Sequence, residues 1–167
     1  FQVWSAYMPV STKDMATLKV ASYVLDMIYT KKIREEQGGT YGVGSALQGR
    51  RRPTYRIDVH VLFSTNPESA DLLSKIAIDE LKAYAENGPT DEQFNMAMEN
   101  LKKNLPEQRI NNGYWMKALQ HYAEYGENYD ALYEEAINSL TKDDIKNILQ
   151  AILAEGNFIE VKLAPQE

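Results

Sequence analysis

Two side chains able to do chemistry stand close together in an unusual setting. In "IREEQGGTYGVG", residues 33–44, Arg34 precedes Tyr41 by seven positions, with Gly38 and Gly39 between them. The first half reads as the charged last turn of a helix and the second as a glycine-loosened strand. A guanidinium presents a rigid fork of donors able to grip carbonyls or a carboxylate. A phenol is a neutral donor that can stabilise a developing oxyanion. A helix turn followed by a tight reversal can bring both groups to one edge of a sheet. Residue types alone leave a structural reading open, because cations suit helix C-termini and aromatics suit strands.

Other chemistries are poorly supplied. The only histidines are His60 and His121. His60 falls on the polar face of an alternating segment with no second ligand nearby, so it reads as a surface residue. "HYAEY", residues 121–125, stops one residue short of the inverted zinc motif H-x-x-E-H, with Tyr125 in place of the second histidine. A catalytic zinc needs three protein ligands and an open water position, so His121 reads as an ordinary residue of an amphipathic helix. There is no cysteine and no G-x-S-x-G elbow, which removes thiolate chemistry and the usual serine nucleophile. The glycines of "GGTYGVG" precede a strand and lack a Gly-Lys-Ser/Thr ending, unlike a phosphate cradle.

The elements that must position Arg34 and Tyr41 follow from pattern. "FQVWSAYM" has strand content, and Pro9 ends it. Ser11 and Asp14 form a capping box opening a helix over 13–36, in which Leu18, Ala21, Leu25, Ile28 and Ile33 recur at helical spacing. Gly38 or Gly39 supplies its left-handed terminator. Strands follow over 40–48 and 55–64, the second strictly alternating, joined as a hairpin through Gly49–Pro53. Asn66 and Pro67 start a second helix, ended by Gly88 and Pro89. Thr90 and Gln93 cap a third, which Pro106 is expected to kink or stop. A helix with Trp115, Leu119 and Tyr122 ends at Gly126, and helices over 129–139 and 142–154 follow. Ile159, Val161 and Leu163 alternate as a last strand. The order β-α-β-β-α-α-α-α-α-β predicts an α+β fold, a single largely antiparallel sheet with helices on one face. Its exposed strand edges could accept an extended peptide.

The 167 residues suit one domain, residues 1–167, with no repeat or linker. Opening on Phe1 rather than Met, the chain reads as a unit of something longer. A net charge of −6 argues against a nucleic-acid partner. The triplet Arg50, Arg51 and Arg52 before Pro53 reads as a solvated turn. No apolar run approaches the roughly 18 residues of a membrane span.

"KKIREEQGGTYGVG" resembles the R-E-x-x-G-x-x-Y signature in the C-terminal halves of pitrilysin-like metallopeptidases, the family of insulin-degrading enzyme and the processing peptidases. "YRIDVHVLFSTNPESADLLSKIAIDELKAYAENGPTDEQFNMAMENLKK" is similar to the strand, helix, turn and helix that follow there. "NNGYWMKAL", "SLTKDDIKNIL" and "FIEVKLAP" resemble its later segments, so the likeness covers nearly the whole chain. It implies a processing-peptidase-like half-domain, the last, non-zinc-binding unit of a zinc endopeptidase. Such a unit closes over peptide or unfolded protein opposite a zinc-binding half, in the same chain or a partner subunit. Carried over by motif, Arg34 binds substrate and Tyr41 binds substrate and stabilises the transition state. Zinc would be held by the other half alone, so this chain by itself should be inactive. Likeness to large periplasmic members suggests the cell envelope. A non-catalytic scaffold subunit of the same fold, or a partner-binding domain, are the alternatives.

Overall fold

The computed structural model describes residues 1–38 and 40–163, the side chain of Tyr41 excepted. Strand β1 (Gln2–Ala6) leads into helix α1 (Thr12–Tyr29), then strands β2 (Thr40–Arg50) and β3 (Arg56–Thr65). Helices α2 (Ala70–Asn87), α3 (Asp91–Ile110), α4 (Asn112–Tyr125), α5 (Tyr129–Ser139) and α6 (Lys142–Ala154) precede strand β4 (Asn157–Glu160). The element order and the α+β class are those expected from the sequence.

The described strands form one sheet in the order β2-β3-β1-β4, with every neighbouring pair antiparallel. Alternation sorts the sheet's two faces. Ile57, Val59 and Val61 of β3, with Trp4 and Ala6 of β1 beside them, are buried under helices. Asp58, His60 and Leu62 point the other way, and Leu62 is exposed. Helix α1 is the central element, buried through Ala16, Leu18, Val20, Ala21, Val24 and Leu25. It lies on β2 and also meets α3, α5 and α6. A helix apolar around most of its circumference belongs in the middle of a core.

Caps set the helix starts by local chemistry. The Ser11 hydroxyl accepts from the Asp14 amide at 3.0 Å while Asp14 accepts from the Ser11 amide at 2.7 Å. Thr90 with Gln93 and Thr141 with Asp144 repeat the device. Asn66 caps a short 3-10 turn (Pro67–Ser69) before α2.

Four expectations are corrected. The single helix over 13–36 is α1 followed by a π-helical segment, Thr30–Glu35. Helix α3 runs through Pro106, so of the kink or stop expected there the stop does not occur. Leu101 and Leu105 anchor its inner face while Pro106 and Lys102 are exposed, so water can satisfy the Lys102 carbonyl that the proline leaves unbonded. The last strand ends at Glu160, leaving Leu163 beyond it. The Arg50–Arg52 turn is not simply solvated, because the Arg51 side chain is only 8% exposed.

Candidate functional site

The two ends of α1 carry the two arginine settings of interest. At its C-terminal end the winding widens: the Glu36 amide bonds to the Lys31 carbonyl at 3.0 Å, an i→i−5 step. An α-helix drifts past a full turn with each four-residue step. A wider turn reverses that drift, so Leu25, Tyr29 and Ile33 all reach the core at 0% exposure. Arg34 is thereby left on the outside and exposed. Lys32 and Glu36 pair with each other at 3.2 Å, and the Arg34 guanidinium has no hydrogen-bond or ion-pair partner among the described residues. π-Segments of this kind recur at functional sites.

Gly38 makes the reversal. Its φ is +63°, where an L side chain is strained, and its amide bonds to the Arg34 carbonyl at 3.1 Å. The chain then enters β2 through a bulge. Thr40 faces Thr65 and Val43 faces Phe63, so Tyr41 and Gly42 together oppose Ser64. The Thr40 hydroxyl accepts from the Gly42 amide at 3.1 Å and donates to the Gly42 carbonyl at 2.8 Å, bracketing the Tyr41 backbone. Bulges re-aim a side chain and occur next to active sites. The Tyr41 side chain itself lies outside the described residues.

Helix α1, which runs on into the π-segment bearing Arg34, is tied to β2, the strand carrying Tyr41, through residues before Arg34 and after Tyr41. Asp26 Oδ1 accepts from the Ser45 amide at 2.7 Å and from its hydroxyl at 2.8 Å. The Ser22 hydroxyl donates to the Ser45 carbonyl at 3.3 Å. Both main-chain groups of Ser45 are consumed by α1, which closes the outer edge of β2 at that residue.

The other end of α1 shows the contrast. Arg51 donates through Nε to the Val10 carbonyl at 2.7 Å and through Nη1 to Glu127 at 2.8 Å. Its guanidinium lies 4.9 Å from the Tyr125 ring centroid. His121 Nε2 meets the same Glu127 oxygen at 2.9 Å. Hydrogen bonds first from Arg51 and then from His121 hold the Glu127 carboxyl below its usual range. His121 is thus a buried structural residue, and His60 is half-buried with Phe1 against its ring. No cluster among the described residues could hold a metal ion, so nothing described here fits a zinc site.

Sequence reasoning missed one perturbed group. The Lys19 ammonium donates to the Tyr133 hydroxyl at 2.8 Å and sits 4.5 Å from that ring. Burial, and then Lys117, lower it to about 8. Only tertiary contacts with α4 and α5 create this shift; Lys19 alone in α1 gives no signal.

Together these features define an α+β unit that presents an arginine beside a bulged strand start, without a metal site among its described residues. Solved structures share this architecture. The chain aligns with the periplasmic protease PqqL from Escherichia coli at TM-score 0.78 and 18% identity, covering 92% of this chain and 17% of that one. The ferredoxin protease FusC, in complex with Arabidopsis ferredoxin, aligns at TM-score 0.76 and 14% identity, covering 91% and 17%. The inactive peptidase domain of a putative zinc protease from Bordetella parapertussis aligns at TM-score 0.73 and 12% identity, covering 99% and 92%. The chain therefore spans less than a fifth of PqqL and of FusC, and nearly all of the Bordetella domain. No curated protein matches. Residues 2–101 match the peptidase M16 inactive domain. The chain belongs to that family.

Proposed function

We propose that this domain closes over a peptide substrate opposite a zinc-binding half, with Arg34 binding the peptide and Tyr41 binding it and stabilising the transition state. On this reading the chain is the last unit of a longer endopeptidase. The observation that carries the proposal is the exposed guanidinium of Arg34, without a partner among the described residues, on a π-segment one glycine reversal away from a bulge at Tyr41. A free cation aimed at no internal partner is available to a ligand; it can take a substrate carbonyl or carboxylate in its donor fork. The Tyr41 hydroxyl would donate to the amide oxygen as negative charge builds on it. Family membership supports the division of labour, and the periplasmic PqqL supports a cell-envelope location.

The test uses the complete peptidase, zinc-binding half included. Tyr41→Phe is expected to lower kcat by about 10²–10³ with unchanged zinc content. Arg34→Ala is expected to lower kcat/KM by roughly 10–100-fold, mainly through KM, from loss of charged hydrogen bonds. Turnover unaltered in both variants would remove the pair from the mechanism.

A further inference from the structure

Lysines that hydrogen-bond in this fold are met by acids, with one departure. Lys13, Lys32, Lys75, Lys142 and Lys162 each donate to a carboxylate. Lys19 is the one described lysine whose hydrogen bond ends on a neutral group, the Tyr133 hydroxyl. Burial raises that phenol well above its ordinary range, so it stays neutral. The Tyr133 ring stacks on Tyr129 with centroids 5.4 Å apart, and the Lys117 ammonium stands 5.5 Å from the Tyr129 centroid. Two ammonium groups thus share one pair of rings, and no carboxylate among the described residues binds either of them. One turn away on α1, Met15, Ala16, Ser22 and Tyr23 offer no acid. Of the α5 acids, Asp130 and Glu134 are taken by Arg109, and Glu135 lines a cleft with Ser11 and Lys13 at the start of α1.

We infer that Lys19 is a nucleophilic amine poised for acylation by an anionic donor of the acyl phosphate class. A carboxylate partner can only accept, so it holds a lysine as ammonium. A phenol accepts from the ammonium and donates to the free amine, so the Lys19–Tyr133 contact survives loss of the proton. Burial, and then Lys117, favour that loss and bring Lys19 to about 8. The residue keeps an exposed flank, which leaves the amine within reach of a small reagent. Lys117, also exposed, supplies the charge that draws an anion and steadies the oxyanion of the tetrahedral intermediate. In the step itself the Lys19 nitrogen bonds to the acyl carbon, the carbon–oxygen bond of the mixed anhydride breaks, and phosphate leaves. The surplus proton of the amine goes to the departing phosphate, and a neutral amide replaces the cation. This inference does not depend on the roles of Arg34 and Tyr41.

The test incubates the full chain with limiting acetyl phosphate near neutral pH and maps acetylated lysines by mass spectrometry. Lys19 is expected to react about tenfold faster than Lys82 or Lys102, exposed lysines with no partner among the described residues. The preference should vanish in urea, because the fold creates it. Lys117→Ala should slow acetylation of Lys19, and Lys117→Glu should slow it further by offering the ammonium a carboxylate. Selectivity for Lys19 should be larger with acetyl phosphate than with the uncharged ester N-acetoxysuccinimide, since Lys117 draws only the anion. Lys19 reacting no faster than Lys82 and Lys102, a preference that persists in urea, a rate indifferent to charge reversal at Lys117, or equal selectivity with the two reagents would each overturn the proposal.

Discussion

The two ends of α1 hold arginines in opposite states. At the N-terminal end, Arg51 is wrapped: a carbonyl, a carboxylate and an aromatic ring take its guanidinium, and 8% of the side chain is exposed. At the C-terminal end, Arg34 is exposed with no partner among the described residues. Both lie near glycine and tyrosine in sequence, Arg34 at a helix–strand junction and Arg51 in the turn between two strands. The first joins the β2–β3 turn to the α4–α5 connection and serves packing. The second is held out by a π-segment whose burial of Ile33 satisfies the core without using the arginine at all. A fold that engages one guanidinium internally and leaves another without a partner among the described residues keeps the second out of its stability.

Three measurements sharpen or break that contrast. The largest effect is expected from Arg51→Ala, which strips Glu127 of its main partner and opens the packed turn. It should cost about 2 kcal/mol of unfolding free energy by lost charge-assisted hydrogen bonds, read by urea denaturation. Arg34→Ala should stay within about 0.5 kcal/mol. Equal losses in the two variants would dissolve the distinction. Next, Gly38→Ala forces an L side chain into a left-handed conformation and should cost about 1 kcal/mol. Its Cβ would meet nothing within 4 Å, so the cost is backbone strain alone, and Gly38→Asn should recover part of it. A Gly38→Ala protein of unchanged stability would place the reversal elsewhere.

The smallest effect concerns pH. Glu127 has its folded-state pKa held below the ordinary 4.5 by Arg51 and then His121. A carboxyl depressed in the folded state contributes stability that is complete above the unfolded value and lost as pH falls through the folded one. Thermal scans from about pH 6 down to pH 3 should therefore show a shallower acid decline in Glu127→Gln than in the unmodified chain. Parallel declines would mean that the carboxylate cluster at the wrapped end does not contribute.

Much of this was legible from sequence because it is local. Capping boxes at Ser11, Thr90 and Thr141 and alternation in β3 each involve residues a few positions apart. Their hydrogen bonds and burial patterns therefore follow from chain geometry. The reading of Arg34 and Tyr41 as a functional pair came only from family resemblance, since their residue types also suit ordinary structural roles.

What escaped the sequence is what depends on contacts between distant elements. The triplet at 50–52 looks uniformly solvated until α4 and α5 bring Glu127 and Tyr125 to Arg51. Pro106 looks like a helix end until Leu101 and Leu105 find a core to hold the helix through it. The π-segment resolves a competition, between regular winding and the burial of both Tyr29 and Ile33, that only the surrounding core defines. Periodicity and caps alone determined which segments became helix and strand, because those terms are paid within a few residues. Tertiary structure decided which arginine is spent and which remains free, because a charged side chain's environment is set by whatever the rest of the chain packs beside it.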